Sequence, residues 1–176
     1  MTTTTRYSYT RTPRVTLGWG ALTLGTMLLP LTNLALLARG HRLAGESIGK
    51  NARMAALCAS IVASPWCTAH ELGPDHLVIR QGLNFRGQIA YGDIASVHAT
   101  ERKPTHFPMQ LYRHTLFLAL WPVDLVAIRL RRPQRFRLFQ ALPVWKVREV
   151  VINVDQREAF IADLRARVAA VESRDL

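Results

Sequence analysis

The organising stretch of the sequence is residues 15–38, VTLGWGALTLGTMLLPLTNLALLA, in which no side chain is ionisable. A helix of this length spans roughly 36 Å, whereas the hydrocarbon core of a bilayer is about 30 Å thick. Arginines lie outside both ends, and threonine and glycine are spread around the circumference instead of forming the polar stripe of a soluble helix. The stretch therefore predicts a transmembrane helix. A buried helix of a soluble core is the alternative.

The flanking segments extend this predicted anchor on both sides. Residues 1–14 are rich in threonine and carry three arginines without apolar periodicity, which predicts a flexible basic tail. Residues 54–69 are apolar but short for a span. They predict a second transmembrane helix that makes a hairpin with the first, or else an interfacial or protein-packed helix. The expected organisation is a tail at 1–14, a membrane anchor at 15–69 and a domain at 70–176.

The charge of the chain is strongly basic and unevenly distributed. The formal net charge is +11, and Glu46 is the one acidic residue before residue 70. A basic surface of this kind fits nucleic acid or an anionic lipid surface, and a neighbouring apolar span favours the lipid. Two cysteines give no disulfide framework and fit a reducing compartment.

Beyond residue 70 the apolar residues alternate as in β-strands. The turn residues Gly73-Pro74-Asp75 predict a hairpin that pairs 67–72 with 76–81. Short strands are expected at 88–91 and 94–99, with a further apolar strand at 115–120. Regular spacing of turns predicts a small antiparallel sheet or barrel.

Alternation is clearest at residues 126–131, where Val126, Ile128 and Leu130 are expected to face inward. Pro133 predicts a turn after this strand, so that 135–139 returns as its hairpin partner. Residues 147–154 supply a last strand.

The chain closes with an amphipathic helix. Asp155 and Glu158 have the spacing of a capping box at its start. Five apolar residues then follow along one helical face, namely Phe160, Ile161, Leu164, Val168 and Val171. We predict that this helix covers one end of the sheet, which makes the domain α+β.

In their order, these segments resemble the bacterial pleckstrin-homology (PH) domain-like membrane proteins. The resemblance rests on LVIRQG at 77–82, QIAYGDIASV at 88–97, VAIRLRRP at 126–133 and VINVDQREAFIADL at 151–164. It implies an N-terminal transmembrane helix or helical hairpin, followed by a bent antiparallel β-barrel that a C-terminal helix caps. The 73–75 turn lacks the Lys/Arg cluster of phosphoinositide-binding relatives, so headgroup-specific recognition does not carry over.

The densest basic segment is 129–148, which contains seven Arg or Lys residues and no acidic residue. The expected hairpin places several of these arginines on one exposed face, where guanidinium forks match phosphate oxygens. We predict lipid-headgroup or phosphate contacts by five arginines, Arg129, Arg131, Arg132, Arg135 and Arg137. A solvated face that prevents aggregation of the sheet is the alternative.

Other chemistry has weaker support in the sequence. Cys67, His70 and His76 offer three possible zinc ligands, but no second pair has zinc-finger spacing. No serine has a Gly-x-Ser-x-Gly setting, and residues 82–87 lack the Lys-Ser/Thr ending of a phosphate loop. Aromatic residues before the basic segment could stack on single-stranded nucleic acid, which we disfavour because packing explains most of them. We therefore predict no enzyme, no metal and no cofactor.

The sequence as a whole predicts a non-enzymatic PH-like module anchored in the inner (cytoplasmic) membrane, with its main domain in the cytosol. The expected partners are anionic membrane lipids, together with a protein partner or a second copy of the chain, so that the module works as a scaffold. The alternative is a small accessory or assembly subunit of a larger membrane complex, in which small residues of the spans pack on other helices.

Overall fold

The computed structural model describes residues 4–9, 53, 68–82, 85–105, 109–120, 122–138, 142–143 and 146–174. At residues 137, 138, 142 and 143 the description is confined to the backbone. The spans predicted at 15–38 and 54–69 lie outside these ranges, apart from Thr68 and Ala69.

The described residues form strands that precede a C-terminal helix. In chain order these are β1 (Thr5–Tyr7), β2 (His70–Leu72), β3 (His76–Gln81), β4 (Phe85–Ala90), β5 (Ile94–Ala99), β6 (Met109–Tyr112), β7 (Thr115–Leu118), β8 (Leu125–Gln134), β9 (Arg137–Leu138), β10 (Leu142–Pro143), β11 (Val147–Asn153) and α1 (Arg157–Glu172). The spatial order is β1-β2-β3-β4-β9-β10 in sheet A and β5-β8-β11-β7-β6 in sheet B. The fold is α+β, as predicted.

The arrangement of the strands differs from the barrel that the resemblance implies. The described strands lie in two separate sheets and do not close into one barrel. One pairing, between β7 and β11, is parallel. A purely antiparallel barrel is therefore a wrong prediction for the described strands, because local alternation identifies a strand without specifying its neighbour.

The hairpin predicted around Pro133 is also wrong. β8 continues to Gln134, which pairs with Val147 of β11, and Leu138 of β9 pairs with Phe85 in the other sheet. Proline lacks the N–H that a sheet ladder needs. Pro133 is tolerated inside β8 because it lies where the β8–β11 register shifts and beyond the last residue of β8 that pairs with β5.

One hydrophobic core draws its side chains from both sheets and from α1. Leu77, Ile89, Ile128 and Ile152 are among its buried members. The predicted apolar face of the helix is confirmed, since three of its residues are buried in this core and two are partly buried against it. Arg165 fastens the helix to β5 by donating Nε–H and Nη2–H to the Val97 carbonyl, at 2.9 and 2.6 Å.

The predicted capping box does not form. The residue before the helix is Gln156, and its side chain makes no capping hydrogen bond. Asp155 instead accepts a hydrogen bond from the Ser8 hydroxyl, and its N–H donates to the Ser8 carbonyl at 2.9 Å. The Asp155 carboxylate, which local spacing predicted as a helix cap, is thus bonded to Ser8, a residue distant in sequence.

Part of the predicted tail forms a strand, Thr5–Tyr7. β1 pairs with β2, and the Tyr7 hydroxyl donates to Asp163 of α1 at 2.5 Å. Burial and this carboxylate raise the pKa of Tyr7 to about 12. Residues 5–7 therefore belong to the domain, in contrast to the flexible tail that composition predicted, because pairing and burial of Tyr7 offset the entropy of ordering them.

The connection from β5 to β6 runs between opposite edges of sheet B. Its described part, residues 100–105, lies across the outer face of the sheet, where the Arg102 guanidinium is 5.7 Å from the centre of the Phe117 ring. Pro104 is buried in this connection. We call residues 100–105 the strap. Phe117, which Arg102 of the strap contacts, belongs to a second apolar cluster with Ala119, Leu125, Ala127 and Val151.

The predicted localisation needs correction. No helix in the part of the chain that the structure describes is long and apolar enough to cross a lipid bilayer. Helix α1 has 16 residues and carries charged side chains in every turn. An integral protein of the inner membrane is therefore a wrong prediction as far as the described residues go.

Candidate functional site

The candidate site lies on the outer face of sheet B. In β8, Ile128 and Leu130 face the core, so the alternating residues Arg129 and Arg131 face outward. The register places Glu149 of β11 directly opposite Arg129. The strand registers align one residue from each of the five strands in a row across the sheet, in the order Ser96, Arg129, Glu149, Thr115 and Tyr112.

An irregularity in β11 adds a charge to this face. Val147 and Val150 both lie in the core although they are three residues apart, which breaks the alternation of a regular strand. The N–H groups of Arg148 and Glu149 both donate to the His114 carbonyl, at 2.8 and 3.2 Å. Arg148 and Glu149 consequently lie on the same side, next to the β6–β7 turn.

These elements enclose a basic groove of about 450 Å³. The residues that line it are Arg102, Arg113, His114, Thr115, Arg129, Leu130, Arg131, Pro133, Arg148 and Glu149. Five of them are arginines and one is acidic, so the groove carries a large excess of positive charge.

Two of the arginines are engaged within the protein. Arg102 forms an ion pair with Glu149 at 2.8 Å, and the Thr115 hydroxyl donates to the same carboxylate at 2.9 Å. Arg131 forms an ion pair with Glu172 at the end of α1. These contacts fix the walls of the groove to the strap and to the helix.

The other three arginines, Arg113, Arg129 and Arg148, form no ion pair with any described residue. Arg129 lies opposite Glu149 in the strand register but forms no ion pair with it, and the carboxylate pairs with Arg102. Arg113 lies over the ring of Tyr112, 5.5 Å from its centre, and its φ of 55° falls in the left-handed region that favours glycine. Unpaired guanidinium groups in a concave site are suited to bind phosphate oxygens.

The arginines predicted from sequence divide into three groups. Arg129 and Arg131 line the groove. Arg132 and Arg135 are exposed but lie outside its lining. Arg137 belongs to β9 in sheet A, whereas Arg129 and Arg131 belong to β8 in sheet B, so the hairpin expected to place these arginines on one face does not form.

Sequence reasoning missed much of the groove. Arg102 comes from the strap, Arg113 from the β6–β7 turn, and Arg148 and Glu149 from the irregular start of β11. No local signal marks the first two as neighbours of Arg129. The acid-free segment 129–148 ends one position before Glu149, the acidic residue that lies among the arginines of the groove.

An exposed apolar tip lies beside the groove. Leu111 and Tyr112, at the end of edge strand β6, have exposed fractions of 36% and 50% and are the exposed large hydrophobic residues of the described chain. They precede Arg113 directly. An apolar tip next to cationic side chains is typical of surfaces that bind lipid headgroups.

A second polar cluster, elsewhere in the fold, is largely buried. We call it the His70 cluster, and it consists of Tyr9, Thr68, His70 and Asn153. The Tyr9 ring stacks on His70 with centres 4.7 Å apart, and the Tyr9 hydroxyl contacts Thr68. The Asn153 side chain donates to the Tyr9 carbonyl at 2.7 Å and accepts from the Leu120 N–H at 3.1 Å.

His70 is held in its neutral form. The Arg80 N–H donates to Nδ1 at 3.3 Å, so the proton lies on Nε2, which donates to the Asn153 carbonyl at 3.3 Å. Burial lowers the pKa of His70 to about 4, although its bond to the Asn153 carbonyl acts in the opposite direction. Both ring nitrogens are thus used within the fold.

This arrangement bears on the zinc alternative. Both ring nitrogens of His70 are occupied by backbone groups, and Cys67 lies outside the described residues. In the described ranges, no three His, Cys, Asp or Glu side chains come together as a metal site would require.

Comparison with known proteins gave no relative. No family model, no curated protein and no solved structure matches the chain. The resemblance to PH domain-like proteins therefore stays a prediction.

Proposed function

We propose that the protein is a non-enzymatic binding module whose basic groove holds the phosphate groups of anionic lipid headgroups at a membrane surface. The observation that carries this proposal is the presence of three arginines, Arg113, Arg129 and Arg148, without carboxylate partners among the described residues, in a groove of about 450 Å³. Each cation near an anionic leaflet contributes about 1 kcal/mol to binding.

The exposed tip favours a lipid surface over the two alternatives. Solvation of a basic face does not explain why Leu111 and Tyr112 are exposed. A peripheral lipid-binding surface inserts such side chains between headgroups. Stacking on single-stranded nucleic acid needs several exposed rings along the groove. Tyr112 is the one large aromatic residue that the described chain exposes.

We also propose a relationship to PH domain-like proteins at the level of the fold. Its support is a small β-rich domain whose amphipathic C-terminal helix packs against the sheet. The parallel β7–β11 pair and the separate sheets limit this relationship to the general architecture.

Vesicle binding by the full-length protein tests the function. The probe is phosphatidylcholine vesicles with and without phosphatidylglycerol, and the variant combines Arg113→Gln, Arg129→Gln and Arg148→Gln. We expect binding to the anionic vesicles to fall roughly a hundredfold, at about 1 kcal/mol for each cation.

The matched control removes the same charge outside the groove by Arg86→Gln, Arg132→Gln and Arg135→Gln. These three side chains are exposed and do not line the groove. We expect it to lose much less binding. An equal loss in both triple variants would indicate non-specific attraction, and no loss in the groove variant would overturn the proposal.

A second candidate is an accessory or assembly subunit that binds a protein partner or a second copy of the chain. The edge position of β6 and its exposed Leu111 favour it, because an edge strand can pair with a strand from another chain. Leu111→Lys distinguishes the two functions by size-exclusion chromatography and vesicle binding. Loss of an assembly with vesicle binding retained would favour the subunit.

A further inference from the structure

The carboxylate of Glu149 has an unusual place in the groove. It lines the groove, with its side chain 15% exposed, among arginines that would otherwise make a purely cationic site. One of its oxygens, Oε2, accepts from both Arg102 and Thr115. The other, Oε1, accepts no hydrogen bond from a described residue.

A carboxylate in this position works against a bare phosphate. Like charges a few ångströms apart repel each other, and the repulsion is weakly screened in a partly buried site. A ligand that brings a hydrogen-bond donor to Oε1 turns the same group into a favourable contact. Hydrogen bonds to charged groups are stronger than neutral ones.

The charge excess of the groove decides which donor fits. An ammonium group would approach Glu149 through a site with five arginines, which oppose its charge. A hydroxyl group donates to the carboxylate without that penalty. The combination of arginines and one free carboxylate oxygen thus matches a phosphate whose next substituent bears a hydroxyl group.

We infer that the groove selects hydroxyl-bearing phosphodiester headgroups over phosphodiesters without a hydroxyl group, and that Glu149 is the residue that determines this specificity. The inference rests on the proposed function, since it assigns a headgroup class to the same groove. Arg113, Arg129 and Arg148 bind the phosphate, and Glu149 Oε1 accepts a hydrogen bond from the hydroxyl group.

The test compares two lipids of equal charge. Vesicles of phosphatidylcholine carry the same fraction of phosphatidylglycerol, whose headgroup has hydroxyl groups, or of phosphatidylmethanol, whose headgroup has none. We expect full-length wild-type protein to prefer phosphatidylglycerol by about tenfold, the size of one hydrogen bond to a charged acceptor. Glu149→Gln should reduce this ratio to less than about threefold and strengthen binding to phosphatidylmethanol.

Two further variants distinguish the role of the Glu149 carboxylate in headgroup selectivity from the effect of net charge and from the effect of its ion pair with Arg102. Glu101→Gln removes an acidic group whose side chain is 90% exposed and outside the groove, so the ratio should stay at the wild-type value. Arg102→Gln keeps the carboxylate but removes its ion pair, so the ratio should be retained or rise. A ratio that falls as far in Glu101→Gln as in Glu149→Gln would overturn the inference.

The outcomes of this test distinguish the inference from the function beneath it. Equal binding of wild type to the two lipids, with the groove triple variant still defective, would overturn the selectivity and leave the proposed function standing. If the groove triple variant binds anionic vesicles as well as wild type does, the proposed function itself is overturned. Soluble glycerophosphoglycerol, the deacylated form of phosphatidylglycerol, that binds as tightly as the vesicles would assign the groove to a free phosphodiester and overturn the lipid source.

Discussion

The basic groove and the His70 cluster are both polar, but they use their polar groups in opposite ways. In the His70 cluster, the ring nitrogens of His70 and both ends of the Asn153 amide contact other groups of the protein. In the groove, Arg113, Arg129 and Arg148 have no ion partner among the described residues. The difference indicates that the cluster contributes to stability, while the groove keeps its charges available for a ligand.

The largest effect that this comparison predicts is in the His70 cluster. Asn153→Ala leaves the Leu120 N–H and the Tyr9 carbonyl buried without their partner, and each unsatisfied group costs about 1–3 kcal/mol. We expect the free energy of unfolding in urea to fall by about 4 kcal/mol.

The control for Asn153 is Gln110→Ala. The amide of Gln110 bonds to Thr105 at the surface, where water replaces it, so the loss should stay below about 0.5 kcal/mol. Equal losses in the two variants would show that the internal cluster is no more important than a surface contact.

The second effect is a pH dependence of stability. The folded protein holds His70 neutral with a pKa of about 4, whereas the unfolded chain has the ordinary value of 6.5. Between these values the unfolded state binds a proton that the folded state does not, so stability is full above about pH 6.5 and falls as the pH drops towards 4. The loss attributable to His70 is about 3 kcal/mol at most.

Urea unfolding of wild type and His70→Gln from pH 7.5 to 4.5 measures this contribution. Carboxylates titrate in both proteins, so the difference between the two curves isolates the histidine. We expect a shallower fall in the variant. Parallel curves would mean that His70 is as easily protonated in the folded protein as in the unfolded chain.

The smallest predicted effect on the free energy of unfolding is in the groove, where a substitution is expected to raise this free energy instead of lowering it. Arg113 has a φ of 55°, a conformation that costs a non-glycine residue about 1 kcal/mol. Arg113→Gly should therefore leave the free energy of unfolding unchanged or raise it by up to about 1 kcal/mol, while binding to anionic vesicles weakens about fivefold. A clear loss of stability would show that Arg113 supports the fold and would erase the contrast between the two regions.

The elements that were predictable from the sequence are those with a strong local period. The alternation at Val126, Ile128 and Leu130 located β8, and the spacing of Phe160, Ile161 and Leu164 located α1. The hairpin of β2 and β3 also followed from its turn residues. β1 escaped prediction because three residues carry too little pattern, and its stability comes from β2 and α1, which are distant in sequence.

The candidate site was predictable only in part, for a related reason. Arg129 and Arg131 share a face because they alternate along one strand, which a sequence displays directly. Arg102 reaches the same groove through the connection from β5 to β6, which crosses the sheet. Arg113 reaches it through the β6–β7 turn, which lies there because β7 is the neighbour of β11. Their proximity depends on strand order, which local alternation does not encode.

The sequence by itself determined the basic character of the protein, the α+β composition of the domain and the amphipathic helix at its end. These properties depend on residue types and on periods of two to four residues. Only the tertiary structure decided that the strands form two sheets, that the strap brings Arg102 to Glu149, and that one carboxylate lies among the arginines of the groove. Such contacts join residues far apart in the chain, and the free energy that selects them comes from burying the common core.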